Sequence, residues 1–163
     1  MTVEIRPATA ADIDAIRDIA EDSWYAAYGG ILDPETIAIA IAEYYDPALL
    51  EAAVDLDEIV LYVAETDDVV GFASAEQTWA DEVELHTIYV RPDRWGEGIG
   101  TALFERVRSW ARERDVDRIA CGVLVENVIG IGFFEAIGFH RGRETDAEIA
   151  GEIRSEREFE YYL

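Results

Sequence analysis

The chain has 163 residues and carries 36 Asp and Glu against 13 basic residues, which gives a formal net charge of −23. This length fits a single domain, which we place over residues 1–163, and the single cysteine excludes an internal disulfide framework. No lysine is present, which excludes a Walker-type phosphate loop and a pyridoxal Schiff base. The negative charge also excludes a nucleic-acid backbone as the expected partner.

The acidity belongs to a folded domain. Disordered acidic chains are poor in aromatic residues, whereas this chain is 50% hydrophobic and contains 4 Trp, 8 Tyr and 6 Phe. An acidic surface without lysine suits a cytoplasm at molar salt, where the Debye length is about 3 Å and repulsion between charges is screened. We therefore interpret the chain as halophilic, the alternative being an acidic protein with a cationic partner. The chain shows neither a targeting signal nor an apolar stretch of ~20 residues, so we expect a cytoplasmic protein without a membrane partner.

The first third of the chain predicts one strand followed by helices. Alternation over residues 3–6 predicts a short strand. A pattern like a capping box at residues 9–12 precedes apolar residues at helical spacing over 13–27, which predict a helix. A second helix is predicted over 34–45, with a short further turn after Pro47.

The rest of the chain predicts a sheet interrupted by two helices. Strands are predicted over 59–65, 69–78, 83–90 and 118–125, and helices over 101–114 and 127–137. The tail, 139–163, predicts two strands around a charged loop. This order predicts a mixed α/β (α+β) fold with one central, mostly antiparallel sheet flanked by helices.

The most informative segment is a glycine-rich turn between a predicted strand and a predicted helix. Gly96, Gly98 and Gly100 alternate there. Glycine allows positive φ and close approach of a ligand, and N–H groups at a helix N-terminus form a cradle for an anion. A phosphate or pyrophosphate is the expected ligand, and a plain tight turn is the alternative. Because the spacing is not G-x-G-x-x-G and lies in mid-chain, a nucleotide-binding module is only a rival interpretation.

With these motifs the sequence resembles the GNAT family of N-acetyltransferases. The matching segments are Val90-Arg91-Pro92, Gly98-Ile99-Gly100, Asn127, Phe133-Phe134, Gly138-Phe139 and Ile5-Arg6-Pro7-Ala8, with Trp24 and Tyr28 in the first helix. The resemblance covers essentially the whole chain and implies a single GNAT-like domain. It implies an acyltransferase that moves an acetyl group from acetyl-coenzyme A (acetyl-CoA) to a primary amine by direct attack, without a metal. A non-catalytic sensor that binds acyl-CoA is the alternative.

The resemblance also implies where the cofactor binds. The implied residues are Ile88, Tyr89, Val90, Arg94, Trp95, Gly96, Glu97, Gly98, Ile99, Gly100, Thr101, Asn127, Gly130 and Phe134. Backbone groups of Ile88 and Val90 would pair with the pantetheine arm like an added strand, and the turn would hold the pyrophosphate. Two positions depart from the family pattern. Trp95 replaces a Gln or Arg, and Phe134 replaces a tyrosine that often protonates the leaving thiolate.

Glu84 and His86 are the predicted catalytic residues. Alternation places both on one face of the strand that leads to the turn. The family often has a carboxylate here that deprotonates the amine, and histidine titrates near neutral pH. Trp24 and Tyr28 are predicted to line the mouth of the acceptor site.

The identity of the acceptor is open between a protein N-terminus, a free amino acid, a polyamine and an antibiotic. We expect the segments 29–50 and 143–153 to select it. The homodimers that are common in the family make a homodimer an open alternative for this chain.

Overall fold

Seven strands and five α-helices lie within residues 2–163, the part of the chain that the computed structural model describes. The strands are β1 (Glu4–Pro7), β2 (Ile59–Glu65), β3 (Val69–Trp79), β4 (Glu82–Val90), β5 (Arg118–Leu124), β6 (His140–Ile149) and β7 (Glu152–Tyr162). The helices are α1 (Ile13–Tyr28), α2 (Pro34–Tyr44), α3 (Pro47–Asp55), α4 (Ile99–Glu113) and α5 (Val128–Ala136).

All seven strands form one sheet in the order β1-β2-β3-β4-β5-β7-β6. Only the pair β4–β5 is parallel, and every other neighbouring pair is antiparallel. The predicted central, mostly antiparallel mixed sheet is therefore confirmed. Within residues 2–163, no helix is both long enough and apolar enough to cross a bilayer.

The helices cover both faces of the sheet. Helices α4 and α5 bury Leu103, Phe104 and Phe134 on one side, which we call the α4 face. Helices α1, α2 and α3 cover the opposite side, which we call the α1 face, where Ile16 and Ile37 are fully buried. Successive side chains of a strand point to opposite faces, so each central strand contributes apolar residues to both cores.

The third helix is a correction to the sequence prediction, which gave only a short turn after Pro47. Proline occupies the first turn of α3, where its missing N–H costs no hydrogen bond. The Asp46 side chain accepts a hydrogen bond from the Ala48 N–H at 2.8 Å and caps the helix. Leu50 then buries the helix against the α1 face.

The segment 143–153 is also corrected, because it is not a loop. It belongs to β6 and β7, which pair closely and turn at Ala150 and Gly151. The charges that suggested a loop lie opposite each other across the strands. Glu144 pairs with Arg157 at 3.3 Å, and Arg143 with Glu158 at 3.5 Å. Pairs of opposite charge across two strands stabilise the pairing of those strands.

Strand β4 carries a β-bulge. Ala75 of β3 pairs with Leu85, whereas the preceding Ser74 pairs with Thr87, so His86 is an extra residue without a cross-strand partner. The bulge changes the alternation. Val83 before it and Val90 after it both pack on the α4 face.

Strands β4 and β5 separate beyond a short paired segment. Residues 82–84 pair with 118–120, and both strands then continue, to Val90 and Leu124 respectively. The opening between them positions the site described next.

Candidate active site

A cleft of about 400 Å³ lies where β4 and β5 separate. The end of α1, the glycine-rich turn and α5 complete its walls. Most of the predicted site residues line it, namely Tyr28, His86, Ile88, Tyr89, Val90, Arg94, Trp95, Gly96, Gly98, Ile99, Gly100, Thr101, Asn127, Gly130 and Phe134. Three predicted residues, Trp24, Glu84 and Glu97, are not part of its lining.

The glycine-rich turn leaves open space in front of its backbone. Gly96 and Gly98 have φ of +83° and +82°, a conformation that favours glycine. A Cβ at either position would meet no atom within 4 Å. Gly98 caps the N-terminus of α4, whose first residues line the cleft. The turn therefore offers N–H groups and the positive end of a helix dipole to an anion.

Two other glycines serve packing rather than ligand approach. A Cβ on Gly100 would lie 3.0 Å from the Phe133 ring, so this glycine lets α4 pack closely against α5. A Cβ on Gly130 would lie 2.6 Å from the Asn127 amide nitrogen. Both predicted cofactor residues line the cleft, but their lack of a side chain is explained by neighbours within the chain.

Asn127 connects two walls of the cleft. Its Oδ1 accepts a hydrogen bond from the Gly130 N–H at 3.0 Å and caps α5. Its Nδ2 donates to the Tyr28 hydroxyl at 3.2 Å. The side chain thereby ties the start of α5 to the end of α1.

Trp95, at the position where the family has Gln or Arg, closes the turn onto β4. Its indole Nε1 donates to the Val90 carbonyl at 2.9 Å. The Arg91 N–H donates to Val70 of β3 at 2.8 Å. Hydrogen-bonding direction alternates along a strand, so the backbone groups of Ile88 and Val90 point away from β3 into the opening. The Trp95 indole occupies the Val90 carbonyl, and the Val90 N–H remains directed at the cleft.

Arg94 is held within the turn. Its Nε lies 2.9 Å from Glu97 Oε2, and its Nη1 donates to the Thr66 hydroxyl at 3.4 Å. Glu97 therefore restrains the arginine from outside the lining of the cleft.

The predicted catalytic pair lies on β4 at the bulge. His86 Nε2 is 3.0 Å from Glu76 Oε1 on β3, and Nδ1 is 3.8 Å from Glu84 Oε1. His86 lines the cleft, whereas Glu76 and Glu84 are not part of its lining. The bulge places the His86 ring at the wall of the cleft. The alternation of residues along the sequence does not predict this bulge.

The α1 face of the cleft is rich in hydroxyl groups. The Tyr45 hydroxyl lies 3.3 Å from Thr87 Oγ1 and receives a hydrogen bond from Trp24 Nε1 at 3.4 Å. Burial raises the pKa of Tyr28, Tyr45 and Tyr89, so these phenols stay neutral. Trp24 is 6% exposed and packs beneath this hydroxyl cluster instead of lining the acceptor mouth.

Neither Phe134 nor Cys121 offers reactive chemistry to the cleft. Phe134 packs edge-to-face on Phe133 and Phe139, with ring centroids 5.3 and 5.2 Å away. Burial, followed by the charges of Glu156 and Glu84, raises the pKa of the Cys121 thiol far above its ordinary value. The thiol stays protonated and is not a nucleophile.

Glu156 is a residue near the cleft that the sequence prediction missed. A Cβ on Gly122, which lines the cleft, would overlap the Glu156 carboxylate. Burial raises the pKa of Glu156, and the charges of Glu84 and Glu158 raise it further. No local motif marks it, because β7 brings it to β5 from 34 residues away in sequence, the difference between positions 156 and 122.

A metal site is not apparent. Across residues 2–163, no group of three or more His, Cys, Asp or Glu side chains is arranged to hold a metal ion.

Comparison with known proteins identifies the family. The acetyltransferase (GNAT) family matches residues 13–139. The chain is 24% identical over 151 residues to a spermidine N(1)-acetyltransferase of Thermoplasma acidophilum, an alignment that covers 90% of this chain and 92% of that protein. It is 30% identical over 145 residues to an uncharacterized N-acetyltransferase of Methanocaldococcus jannaschii, covering 85% of this chain and 61% of that protein.

Solved structures show the same fold. The PaiA N-acetyltransferase of Thermoplasma acidophilum, crystallised with coenzyme A, superposes with a TM-score of 0.84 at 23% identity, over 99% of this chain and 100% of the other. A ribosomal-protein-alanine N-acetyltransferase of Brucella melitensis gives 0.74 at 25% identity, over 98% and 99%. The motifs, the fold and the family match agree: the chain belongs to the acetyltransferase (GNAT) family and is an acetyl-CoA-dependent N-acetyltransferase.

Proposed function

We propose that the cleft transfers the acetyl group of acetyl-CoA to a primary alkyl amine, with the two substrates entering from different sides. The observation that carries this proposal is the glycine turn, which opens onto the gap between β4 and β5. The open space before Gly96 and Gly98 fits a pyrophosphate, which the N–H groups from Gly96 to Thr101 would hold. The bound cofactor supplies a thioester carbonyl, the centre that the amine attacks.

The backbone of β4 is suited to the rest of the cofactor. Its free edge, at Ile88 and Val90, can pair with the two amides of pantetheine in the manner of an added strand. The Val90 N–H, directed into the cleft, is then available to stabilise charge on the carbonyl oxygen. Trp95 restrains this edge through the Val90 carbonyl.

We assign the general base to His86, supported by Glu76 and Glu84. If Nε2–H donates to Glu76, Nδ1 is left as the acceptor for a proton from the amine. Glu84, at 3.8 Å from Nδ1, then stabilises the imidazolium. A free alkyl ammonium has a pKa near 10.4, so removing its proton is the demanding step. The departing thiol has an ordinary pKa near 8.5, so Phe134 is no obstacle to turnover.

For the acceptor we propose a polyamine. The spermidine N(1)-acetyltransferase relative supports this class, and so do the carboxylates of Glu84 and Glu156 beside the opening. We further propose that the protein works in the cytoplasm of a salt-loving host, without nucleic-acid or membrane partners. Its 36 acidic residues and lack of lysine support that setting.

Thiol release from acetyl-CoA in molar KCl, measured with spermidine, amino acids, an aminoglycoside and an N-terminal peptide, tests this function. We expect turnover with spermidine. Stabilisation of the fold by acetyl-CoA without thiol release for any amine would support the acyl-CoA sensor instead. Stabilisation by ATP or NAD but not by acetyl-CoA would support a nucleotide-binding module.

A further inference from the structure

The pairing of three strands places Glu156 beside the cleft, next to Gly122 of its lining. Its strand β7 lies between β5 and β6, with Leu124 and Thr145 as its cross-strand partners. Leu124 belongs to the core of the α1 face, so the Glu156 side chain is on that face as well. Its carboxylate fills the space in front of Gly122, which a side chain at that position would take.

The carboxylate has no partner among residues 2–163, although cations are close by in sequence. Arg154 pairs with Glu126 and Glu152, and Arg157 pairs with Glu144. Glu156 makes no ion pair or side-chain hydrogen bond with the described residues. Its charged neighbours are Glu84 and Glu158, and both are anionic. A half-buried carboxylate that faces only like charges destabilises the fold.

A second unpartnered group lies in the same cleft. Ser23 of α1 is 3% exposed and lines the cleft, and its Oγ has no hydrogen-bond partner in residues 2–163. Buried hydroxyl groups are normally hydrogen-bonded, and an exception needs an explanation, such as a catalytic role or a bound ion. Ser23 and Glu156 approach the cleft from different elements, so the two observations are independent.

We propose that Glu156, assisted by the Ser23 hydroxyl, binds a second ammonium group of the acceptor, so that the enzyme selects amines that carry at least two cations. This inference rests on the proposed function. The reacting nitrogen must lose its charge before attack, and it cannot neutralise the carboxylates for long. A second ammonium stays charged and compensates Glu156 throughout the reaction. Surface acids cannot do this as well, because molar salt screens them more than a half-buried group.

The ionisable groups near Glu156 are Glu84 of β4, Tyr28 of α1 and Glu158 of its own strand, with the Cys121 thiol on the opposite face of β5. On β6 the cross-strand partner of Glu156 is the uncharged Thr145, and Arg143 pairs with Glu158. The phenol and the thiol are neutral and Arg143 is already paired, so none of these groups supplies the cation that Glu156 lacks. The ligand must bring it.

The test is a comparison of two amines in two variants. For Glu156→Gln we expect the KM for spermidine to rise about tenfold, equivalent to ~1.4 kcal/mol, while kcat changes little. With n-butylamine, which has one cation, the same variant should match the wild type. Glu160→Gln, which removes a charge four positions further along β7, is the matched control and should alter the KM for neither amine. Equal losses with both amines, or no loss with spermidine, would overturn the proposal.

Binding and stability separate this inference from the proposed function. Calorimetry should show that spermidine binds the complex with coenzyme A about tenfold more weakly after Glu156→Gln, whether or not acetyl transfer occurs. A wild type that binds spermidine but releases no thiol would overturn the proposed function alone. The melting temperature of Glu156→Gln should equal or exceed that of the wild type, because the variant removes an unpaired charge. A marked fall in the melting temperature would instead show that Glu156 has a structural role, and would contradict its proposed role in binding an ammonium group.

Discussion

The two halves of the cleft are built in different ways. On the side of the glycine turn, the polar groups that face the cleft belong to the backbone of β4 and of the first turn of α4, and apolar residues such as Val90 and Leu103 support them. On the α1 face, the corresponding groups are the side-chain hydroxyls of Ser23, Tyr28 and Thr87, with the Glu156 carboxylate beside them in front of Gly122. A backbone site fits a ligand that does not vary, and a side-chain site can change with the acceptor.

The two halves therefore affect the free energy of unfolding differently. The turn is satisfied without strain, because glycine adopts positive φ freely. The α1 face carries an unpartnered hydroxyl and an unpaired carboxylate, which lower the free energy of unfolding. A local loss of stability of this kind is typical of a site that is adapted to bind a ligand.

The largest expected effect comes from the base. His86→Ala should lower kcat by ~10²–10⁴-fold, the usual loss for a general base, with acetyl-CoA binding unchanged. His140→Ala, at the other histidine, is the control and should be fully active. Glu84→Gln should cost less than His86→Ala. If Glu84→Gln instead loses activity while His86→Ala keeps it, the glutamate is the base, and full activity in both variants would remove this strand from catalysis.

The cofactor half is tested by filling the cradle. Saturating acetyl-CoA should stabilise the wild type by about 2.7 kcal/mol at a hundred times its dissociation constant. Gly98→Glu should abolish that stabilisation, because its side chain and charge would occupy the open space. Gly151→Glu is the matched control, since Gly151 also has open space and a φ of +89° but lies in the turn between β6 and β7. A full thermal shift in Gly98→Glu would contradict the pyrophosphate assignment. Gly100 is unsuitable, because a side chain there meets Phe133.

The connection between the two halves is tested at Asn127. Asn127→Ala removes the cap of α5 and should lower the free energy of unfolding by ~1 kcal/mol. Asn127→Asp keeps an oxygen that can accept from Gly130 but loses the donor to Tyr28. In chemical denaturation, the aspartate variant should be the more stable of the two. Equal stabilities would mean that the cap contributes nothing.

The smallest effect concerns salt. Screening of the exposed acids should make the fold about 1 kcal/mol more stable in molar KCl than in dilute buffer, a shift in melting temperature of ~2–4 °C. The KCl effect should be nearly the same in Glu156→Gln, because a half-buried charge is less screened. Equal melting temperatures at both salt concentrations would remove the halophilic interpretation.

The sequence was sufficient for most of the fold and for the geometry of the glycine-rich turn. Strand β4, Gly96, Gly98 and helix α4 are contiguous, so a local motif contains the geometry that the turn requires. Helix α3 and the full length of the two predicted tail strands, β6 and β7, were missed for physical reasons. Their apolar spacing is weak, and α3 depends on a cap at Asp46, whereas β6 and β7 depend on charges paired across strands.

The acceptor half was much less predictable. Glu156 comes beside the cleft only through the pairing of β7 with β5, and no local motif marks Ser23 on α1. In a chain with 36 acidic residues, composition cannot distinguish a half-buried carboxylate from the exposed ones. The bulge that places His86 at the opening depends on register with β3, which no segment of β4 encodes alone.

A crystal structure with coenzyme A and spermidine tests the central claim, that the two substrates occupy opposite halves of the cleft, most directly. We expect the pyrophosphate oxygens at hydrogen-bond distance, ~3 Å, from the N–H groups of the turn between Gly96 and Thr101. One ammonium of spermidine should contact Glu156, and another should lie near His86. A pyrophosphate bound away from the turn, or spermidine bound without contact to Glu156, would contradict this account.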